Sequence, residues 1–170
     1  DNDGWKDIFV ANGIFKDLLD RDFLDFYSDP ASMRSLIKTE EQAILKVIDR
    51  IPSVPVPNYA FHNNKDLTFT NLSGDWGLGT PSFSNGAAYG DLDNDGDLDL
   101  VVNNVNMPSF IYRNESQRKP DTHFLTLILK GEGKNTGAIG TEVTLYYNNT
   151  MAYQEHLPMR GFKSTVDPRL

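Results

Sequence analysis

The residues best suited to chemistry in this chain of 170 residues are aspartates that alternate along one short segment. Residues 91–99 read Asp-Leu-Asp-Asn-Asp-Gly-Asp-Leu-Asp, with carboxylates at positions 1, 3, 5, 7 and 9 and a glycine at position 6. Calcium takes about six to eight oxygen ligands in a flexible geometry, and carboxylates this close repel one another without a cation. The pattern predicts a Ca²⁺ site formed by the side chains of Asp91, Asp93, Asp95 and Asp99 and the carbonyl of Asp97. The alternative is a solvated acidic turn.

The predicted site differs from an EF-hand. An EF-hand loop lies between two helices and needs a bidentate Glu at position 12, where this chain has Val102. The flanking segments 87–90 and 98–102 have the composition of strands. The cation is therefore predicted to stabilise a turn between two strands.

The same pattern occurs a second time near the start of the chain. Residues 1–12 align with residues 93–104, and residues 58–63 align more weakly with 109–114. In this register Asp1, Asp3 and Asp7 take positions 3, 5 and 9, and Trp5 offers the carbonyl of position 7. Position 1 would precede the first residue given, so we expect this second Ca²⁺ site to be weakened or empty, and the sequence to be a piece of a longer protein.

Strands and one helical insertion must position these loops. The insertion, residues 14–57, has apolar residues at helical spacing, a helix start at Pro30 and a capping box at Thr39–Gln42. The insertion either packs against the rest of the fold as a structural addition or forms a docking site for a partner. Alternating or β-branched runs predict strands at 7–11, 59–63, 67–72, 84–90, 98–104, 109–113, 124–129, 141–147 and 151–159. Five aromatic residues are predicted to lie in the core, or alternatively to form a sugar-stacking platform: Trp5, Tyr59, Trp76, Tyr89 and Tyr112.

Composition excludes several classes of function. The net charge is −8, from 24 acidic and 16 basic residues, which argues against non-specific binding to nucleic acid or anionic lipid. Eight of the acidic residues lie in the two loops, so the rest of the chain is formally neutral. The absence of cysteine excludes disulfides, zinc–thiolate sites and cysteine nucleophiles. Arg160, Lys163 and Arg169 form a small basic cluster that we expect to be solvated.

Residues 84–114 resemble an FG-GAP or VCBS repeat, a family that forms the blades of calcium-binding β-propellers, as in integrin α-chains. The family order is a first strand, the calcium loop, a second strand, a third strand ending in Arg-Asn, and a fourth strand of the type at 67–72. The resemblance implies one blade without its first strand, interrupted by the insertion, and one blade without its fourth.

The end of the chain resembles the start of an ASPIC/UnbV domain. The matching residues are Asn135–Val143, Gln154 and Arg160–Ser164, although the Phe-Gly-Leu-Gly stretch usual in that family is missing. With the proline-rich segment 51–58, the combination is similar to large exported proteins of Bacteroidetes-type bacteria. The predicted organisation is mainly β: partial propeller blades in residues 1–119, with the insertion at 14–57, and a small β domain in residues 120–170.

These observations favour a non-enzymatic, calcium-stabilised binding or scaffold module that recognises a protein or glycan outside the cytoplasm, at the cell surface, in the periplasm or after secretion. One alternative is an RNA-binding protein, a label that accompanies the ASPIC/UnbV family, although the acidic chain does not support it. The other is part of a carbohydrate-active enzyme, since Asp and Glu pairs are present.

Overall fold

The computed structural model describes residues 3–36, 40–116, 123–161 and 164–170. The fold is mainly β, as predicted, and consists of small antiparallel sheets with three helices inserted after the first strand. The strands are β1 (Ile8–Val10), β2 (Val56–Pro57), β3 (Tyr59–Asn63), β4 (Phe69–Asn71), β5 (Pro81–Ser82), β6 (Ser84–Gly90), β7 (Asp99–Asn104), β8 (Phe110–Tyr112), β9 (Glu142–Tyr147), β10 (Thr150–Glu155), β11 (Met159–Gly161) and β12 (Ser164–Thr165). The helices are α1 (Arg21–Ser28), α2 (Pro30–Leu36) and α3 (Glu40–Arg50).

The two sequence copies form two equivalent three-stranded sheets. Strand order is β1-β3-β4 in the first and β6-β7-β8 in the second. The pairing register repeats as well, since Ile8 faces Phe61 in one sheet as Leu100 faces Tyr112 in the other. The first sheet has the second, third and fourth strands of a blade, and the second sheet has the first, second and third. The predicted partial blades are therefore confirmed.

A buried polar cluster joins the two copies. Asn58, just before β3, donates its side-chain amide to Ser84 at 2.9 Å, and Ser84 donates its hydroxyl to Asn104 at 2.8 Å. Ser82 lies 2.7 Å from the Ser84 hydroxyl. Because these four side chains are buried and hydrogen-bonded to each other, removing one would leave an unsatisfied polar group in the interior.

The insertion is helical, but its first helix begins later than predicted. Asp20 caps α1 by accepting a hydrogen bond from the backbone N–H of Phe23 at 2.8 Å, so the apolar residues before it lie outside the helix. That preceding segment is held in another way, since the N–H of Asp17 donates to the carbonyl of Pro52 at 2.9 Å. α2 begins at Pro30, as predicted. The predicted capping residue Thr39 lies outside the described residues.

The C-terminal part contains two small hairpins, β9–β10 and β11–β12. Asn148 and Asn149 both have positive φ, 44° and 60°, and this matches the turn that a tight two-residue hairpin requires. The strand predicted at 124–129 is wrong. Leu127 exchanges two backbone hydrogen bonds with Leu170 at 2.8 and 3.1 Å, but this single pair is too short to make a ladder. The predicted domain boundary near residues 119–120 lies outside the described residues.

The predicted aromatic core is wrong, because none of its five residues is buried. Trp5 is 54%, Tyr59 42% and Trp76 37% exposed. Trp76, Tyr89 and Tyr112 instead line a cavity of about 490 Å³ between the two sheets. The hydroxyl of Tyr112 is buried there without a hydrogen-bond partner among the described residues, and this burial raises its pKa.

Candidate metal centre

The second acidic loop connects two paired strands. β6 ends at Gly90 and β7 begins at Asp99, and these two residues face each other in the sheet, so residues 91–98 must turn back on themselves. Two left-handed residues make the turn, Asn94 with φ 59° and Gly96 with φ 90°. Asparagine and glycine are the residues that adopt this conformation most readily. The strand register and these two residues together determine the path of the loop.

Three of the predicted ligands come together in this loop. Asp91, Asp93 and Asp99 each offer a carboxylate oxygen, and these oxygens lie within 4.8 Å of one another. Asp91 accepts hydrogen bonds from the N–H groups of Asp95 at 3.1 Å and Gly96 at 3.3 Å. Asp99, which is buried, accepts from the N–H of Leu92 at 3.1 Å. The backbone therefore orients two of the three carboxylates.

The two remaining aspartates lie outside this group of three. Asp95 accepts a hydrogen bond from the N–H of Asp97 at 3.1 Å and another from the guanidinium of Arg113 at 3.4 Å. Asp97 is fully buried. Their assignment as ligands, by side chain and by carbonyl, stays a prediction.

Two residues at the end of β8 complete the loop, and the sequence indicated them only through the Arg-Asn ending of the third strand. Asn114 donates its backbone N–H to Asp99 at 2.8 Å and its side-chain amide to the carbonyl of Leu98 at 3.3 Å. Arg113 lies 2.8 Å from a carboxylate oxygen of Asp93. The described loop thus already carries one positively charged group beside its carboxylates.

The surroundings of Asp93 raise its pKa, first through desolvation and then through neighbouring carboxylates. Desolvation raises its pKa, and the carboxylates of Asp95 and Asp99 raise it further, which together outweigh the opposing effect of Arg113. A group with a raised pKa favours its neutral form. A divalent cation between these oxygens would relieve that repulsion, and the donor set is made of hard oxygen atoms, as Ca²⁺ prefers. Asp91, Asp93 and Asp99 therefore fit a Ca²⁺ ion.

The first loop has the same hydrogen-bonded frame. Asp7 accepts from the backbone N–H of Asn63 at 2.9 Å, and the Asn63 side chain donates to the carbonyl of Lys6 at 3.2 Å. Asp3 accepts from the N–H of Trp5 at 2.9 Å and pairs with the ammonium of Lys65 at 3.0 Å. Asp1 lies outside the described residues. Within the part of the chain that the structure describes, only the second loop brings three carboxylates together.

The C-terminal segment contacts the second loop, contrary to the expected solvation of Arg169. The guanidinium of Arg169 donates to the carbonyl of Asp91 at 2.8 Å and to the side-chain oxygen of Asn94 at 2.9 Å. Asp167 holds the same guanidinium through its carboxylate. The ring of Phe124 lies directly over Gly96, in the space that a Cβ atom would occupy. These contacts join residues between 28 and 78 positions apart on the chain, so no local pattern indicates them.

Comparison with known protein families agrees with this architecture. Residues 51–102 match the FG-GAP-like repeat family, and residues 131–170 match the ASPIC and UnbV family. No curated protein and no solved structure gives a significant match. The chain thus carries FG-GAP-like sequence followed by an ASPIC/UnbV segment, as the motifs predicted. The combination suggests a β-propeller-type module, and FG-GAP repeats typically occur in extracellular proteins.

The described helices are all too short or too polar to cross a membrane.

Proposed function

We propose that this chain is part of a non-enzymatic, calcium-stabilised β-propeller module that binds a protein or glycan outside the cytoplasm. The observation that carries the proposal is the convergence of Asp91, Asp93 and Asp99 within 4.8 Å in a loop between two blade strands. Ca²⁺ bound there would stabilise the connection between β6 and β7, which is the longest strand pair of the second sheet. The module then presents rigid loops and faces to its partner.

The partner class is supported by the cavity between the two sheets. Trp76, Tyr89 and Tyr112 line it together with charged groups such as Arg113 and Glu115. Aromatic rings combined with a few polar groups are typical of surfaces that bind sugar rings or peptide side chains. A binding role with no chemical step requires only this surface and a rigid frame around it.

The compartment follows from the kind of site. Calcium sites of extracellular modules commonly bind with dissociation constants of about 10⁻⁴ to 10⁻³ M, so they are filled only where calcium is abundant. The exposure of Asp93, whose side chain is 37% accessible, is consistent with such a site. Isothermal titration calorimetry of the chain with CaCl₂ tests this range. A dissociation constant in the nanomolar range would contradict it, because such a site would also fill in the cytosol.

Thermal unfolding with and without calcium tests the stabilising role. At a calcium concentration of about 100 times the dissociation constant, binding to the folded state alone adds about 2.7 kcal/mol, or about 5–10 °C in Tm for a chain of this size. EDTA should reverse the shift, and Asp93→Asn should abolish it. Asp75→Asn, an exposed aspartate outside both loops, is the matched control and should keep the shift. An unchanged Tm across the calcium titration in the wild-type chain would overturn the proposal.

A further inference from the structure

We propose that the acidic loop is also the docking site of the C-terminal segment, so that Ca²⁺ binding and docking strengthen each other. The contact group, here called the latch, consists of Arg169, Asp167 and Phe124. This inference rests on the proposed calcium site and adds an interaction to it. It would make the ion a connector between the blade and the ASPIC/UnbV segment as well as a local stabiliser.

The first step is that the latch touches the parts of the loop that determine its shape. Arg169 donates to the carbonyl of Asp91, the first residue of the loop and one of the three converging carboxylates. It also donates to the side chain of Asn94, which holds the first of the two left-handed positions. Phe124 covers Gly96, which holds the other. The latch therefore contacts the loop at both turn residues and at one predicted ligand.

The second step concerns charge. A guanidinium beside a cation site would by itself oppose Ca²⁺ binding. Here Asp167 accepts from the Nε atom of Arg169 at 3.0 and 2.8 Å through its two oxygens, so the guanidinium is neutralised by its own neighbour. The latch consequently restrains the loop without adding net positive charge to it. Restraining a loop in its binding conformation raises affinity, because less conformational entropy is lost on binding.

The third step is reciprocity. If the docked latch raises the affinity for Ca²⁺ by some factor, Ca²⁺ must favour docking by the same factor. A reporter of the latch exists in the backbone, since the N–H of Leu127 donates to the carbonyl of Leu170 at 2.8 Å, and this bond joins the residue after Arg169 to the segment that carries Phe124. Hydrogen exchange of the Leu127 amide therefore measures whether the two sides of the latch are held together, independently of the metal.

Calcium titration of the full chain and its variants tests the coupling. Arg169→Gln and Phe124→Ala should each weaken Ca²⁺ binding, Arg169→Gln by about 5–10-fold, at the lower end of usual coupling factors. Arg34→Gln, which removes the same charge from an exposed position on α2, is the control and should bind within about twofold of wild type. Circular dichroism of each variant checks that the fold is retained. Ca²⁺ should slow exchange of the Leu127 amide by a comparable factor in the wild type, and Asp93→Asn should remove this effect.

The outcomes separate the two proposals. If the wild-type chain binds Ca²⁺ but Arg169→Gln and Phe124→Ala bind it equally well, and the Leu127 amide exchanges at the same rate with and without the ion, the coupling is wrong and the calcium site stands. If the wild-type chain binds no Ca²⁺ at millimolar concentration, the calcium site and the coupling are both wrong. If Phe124→Ala weakens Ca²⁺ binding and Arg169→Gln does not, the role assigned to Arg169 is wrong.

Discussion

The two acidic loops share a frame of hydrogen bonds to the end of the third blade strand, and they differ in the charges around that frame. In both, a backbone N–H at the end of the third blade strand donates to the last aspartate of the loop, Asn63 to Asp7 at 2.9 Å and Asn114 to Asp99 at 2.8 Å. In both, the side-chain amide of the same asparagine donates to the carbonyl of the residue just before that aspartate, Lys6 in the first loop and Leu98 in the second. The frame is therefore common to both copies of the repeat, and the proposed metal site distinguishes the second copy from the first.

The difference lies in the charges around the frame. In the first loop Asp3 is paired with Lys65, and its pKa is lowered: burial raises it, but the N–H of Trp5 and the ammonium of Lys65 outweigh burial. In the second loop Asp93 is paired as well, with Arg113 at 2.8 Å, but desolvation and the neighbouring carboxylates outweigh that arginine and its pKa is raised. We expect a loop whose aspartate has a lowered pKa to have less need of a cation than a loop whose aspartate has a raised pKa. Four predictions test this contrast.

The largest effect is expected from removing the last aspartate of each loop. Asp99→Ala would leave the N–H groups of Leu92 and Asn114 without their acceptor in a buried place. We expect a loss of about 2–4 kcal/mol in the free energy of unfolding without calcium, and loss of Ca²⁺ binding. Asp7→Ala, at the equivalent but more exposed position, should lose about half as much. Urea unfolding in EDTA measures both, and equal losses would show that the second loop is not the more tightly built one.

A second test uses the equivalent glycines. Gly4 has φ 83° and Gly96 has φ 90°, but a Cβ at Gly4 would meet nothing within 4 Å, whereas at Gly96 it would meet the Phe124 ring. Gly4→Ala should therefore show only the backbone penalty, about 1–2 kcal/mol, and Gly96→Ala should lose about 1 kcal/mol more because the ring must move.

The control for this test is the Phe124→Ala background. There the Gly96→Ala substitution should be no more destabilising than Gly4→Ala, because the ring that opposes the new methyl group is absent. A double-mutant cycle by urea unfolding gives the interaction energy directly. Additive effects would mean that Phe124 does not pack on the loop in solution.

The contrast also shows how far the sequence determines the structure. The repeat, the spans of β3 and β6, and three converging ligands follow from local patterns, because strand alternation and aspartate spacing are short-range properties. The apolar run at 124–129 has the composition of a strand, yet a strand requires a hydrogen-bonded neighbour that composition cannot supply. Arg169 and Phe124 contact the loop only through the tertiary fold, so these contacts can be found from the structure and not from the sequence.

The third prediction concerns the positive charge beside each loop. Arg113 pairs with Asp93 at 2.8 Å, so it competes with a cation for that carboxylate. Because its side chain is 55% exposed, the competition is worth at most about 1 kcal/mol, and Arg113→Gln should raise Ca²⁺ affinity about two- to fivefold. Lys65→Gln, which frees Asp3 in the first loop, should leave affinity at the second loop unchanged. Calorimetric titration measures both, and weaker binding by Arg113→Gln would show that this arginine supports the site.

The smallest effect is the pH dependence of each loop in the absence of calcium. Asp93 has a pKa raised above 3.8 in the folded chain, so the folded state binds its proton more tightly than the unfolded state. Its charged form therefore destabilises the fold, and this contribution is absent below pH 3.8 and develops as the pH rises through the raised pKa. Asp3 has the opposite sign, because its lowered pKa gives stability that is present above pH 3.8 and lost as the pH falls through the folded value.

Carboxyl-carbon NMR titration in EDTA resolves these two aspartates, with Asp93 expected to titrate above the ordinary value and Asp3 below it. Lys65→Gln should move the Asp3 midpoint upward, because it removes an attraction that favours the carboxylate, and should leave Asp93 where it was. Arg113→Gln should move the Asp93 midpoint further upward for the same reason. Coincident midpoints for Asp3 and Asp93 in the wild-type chain would mean that the two loops do not differ in charge crowding, and that the second has no greater need of a cation than the first.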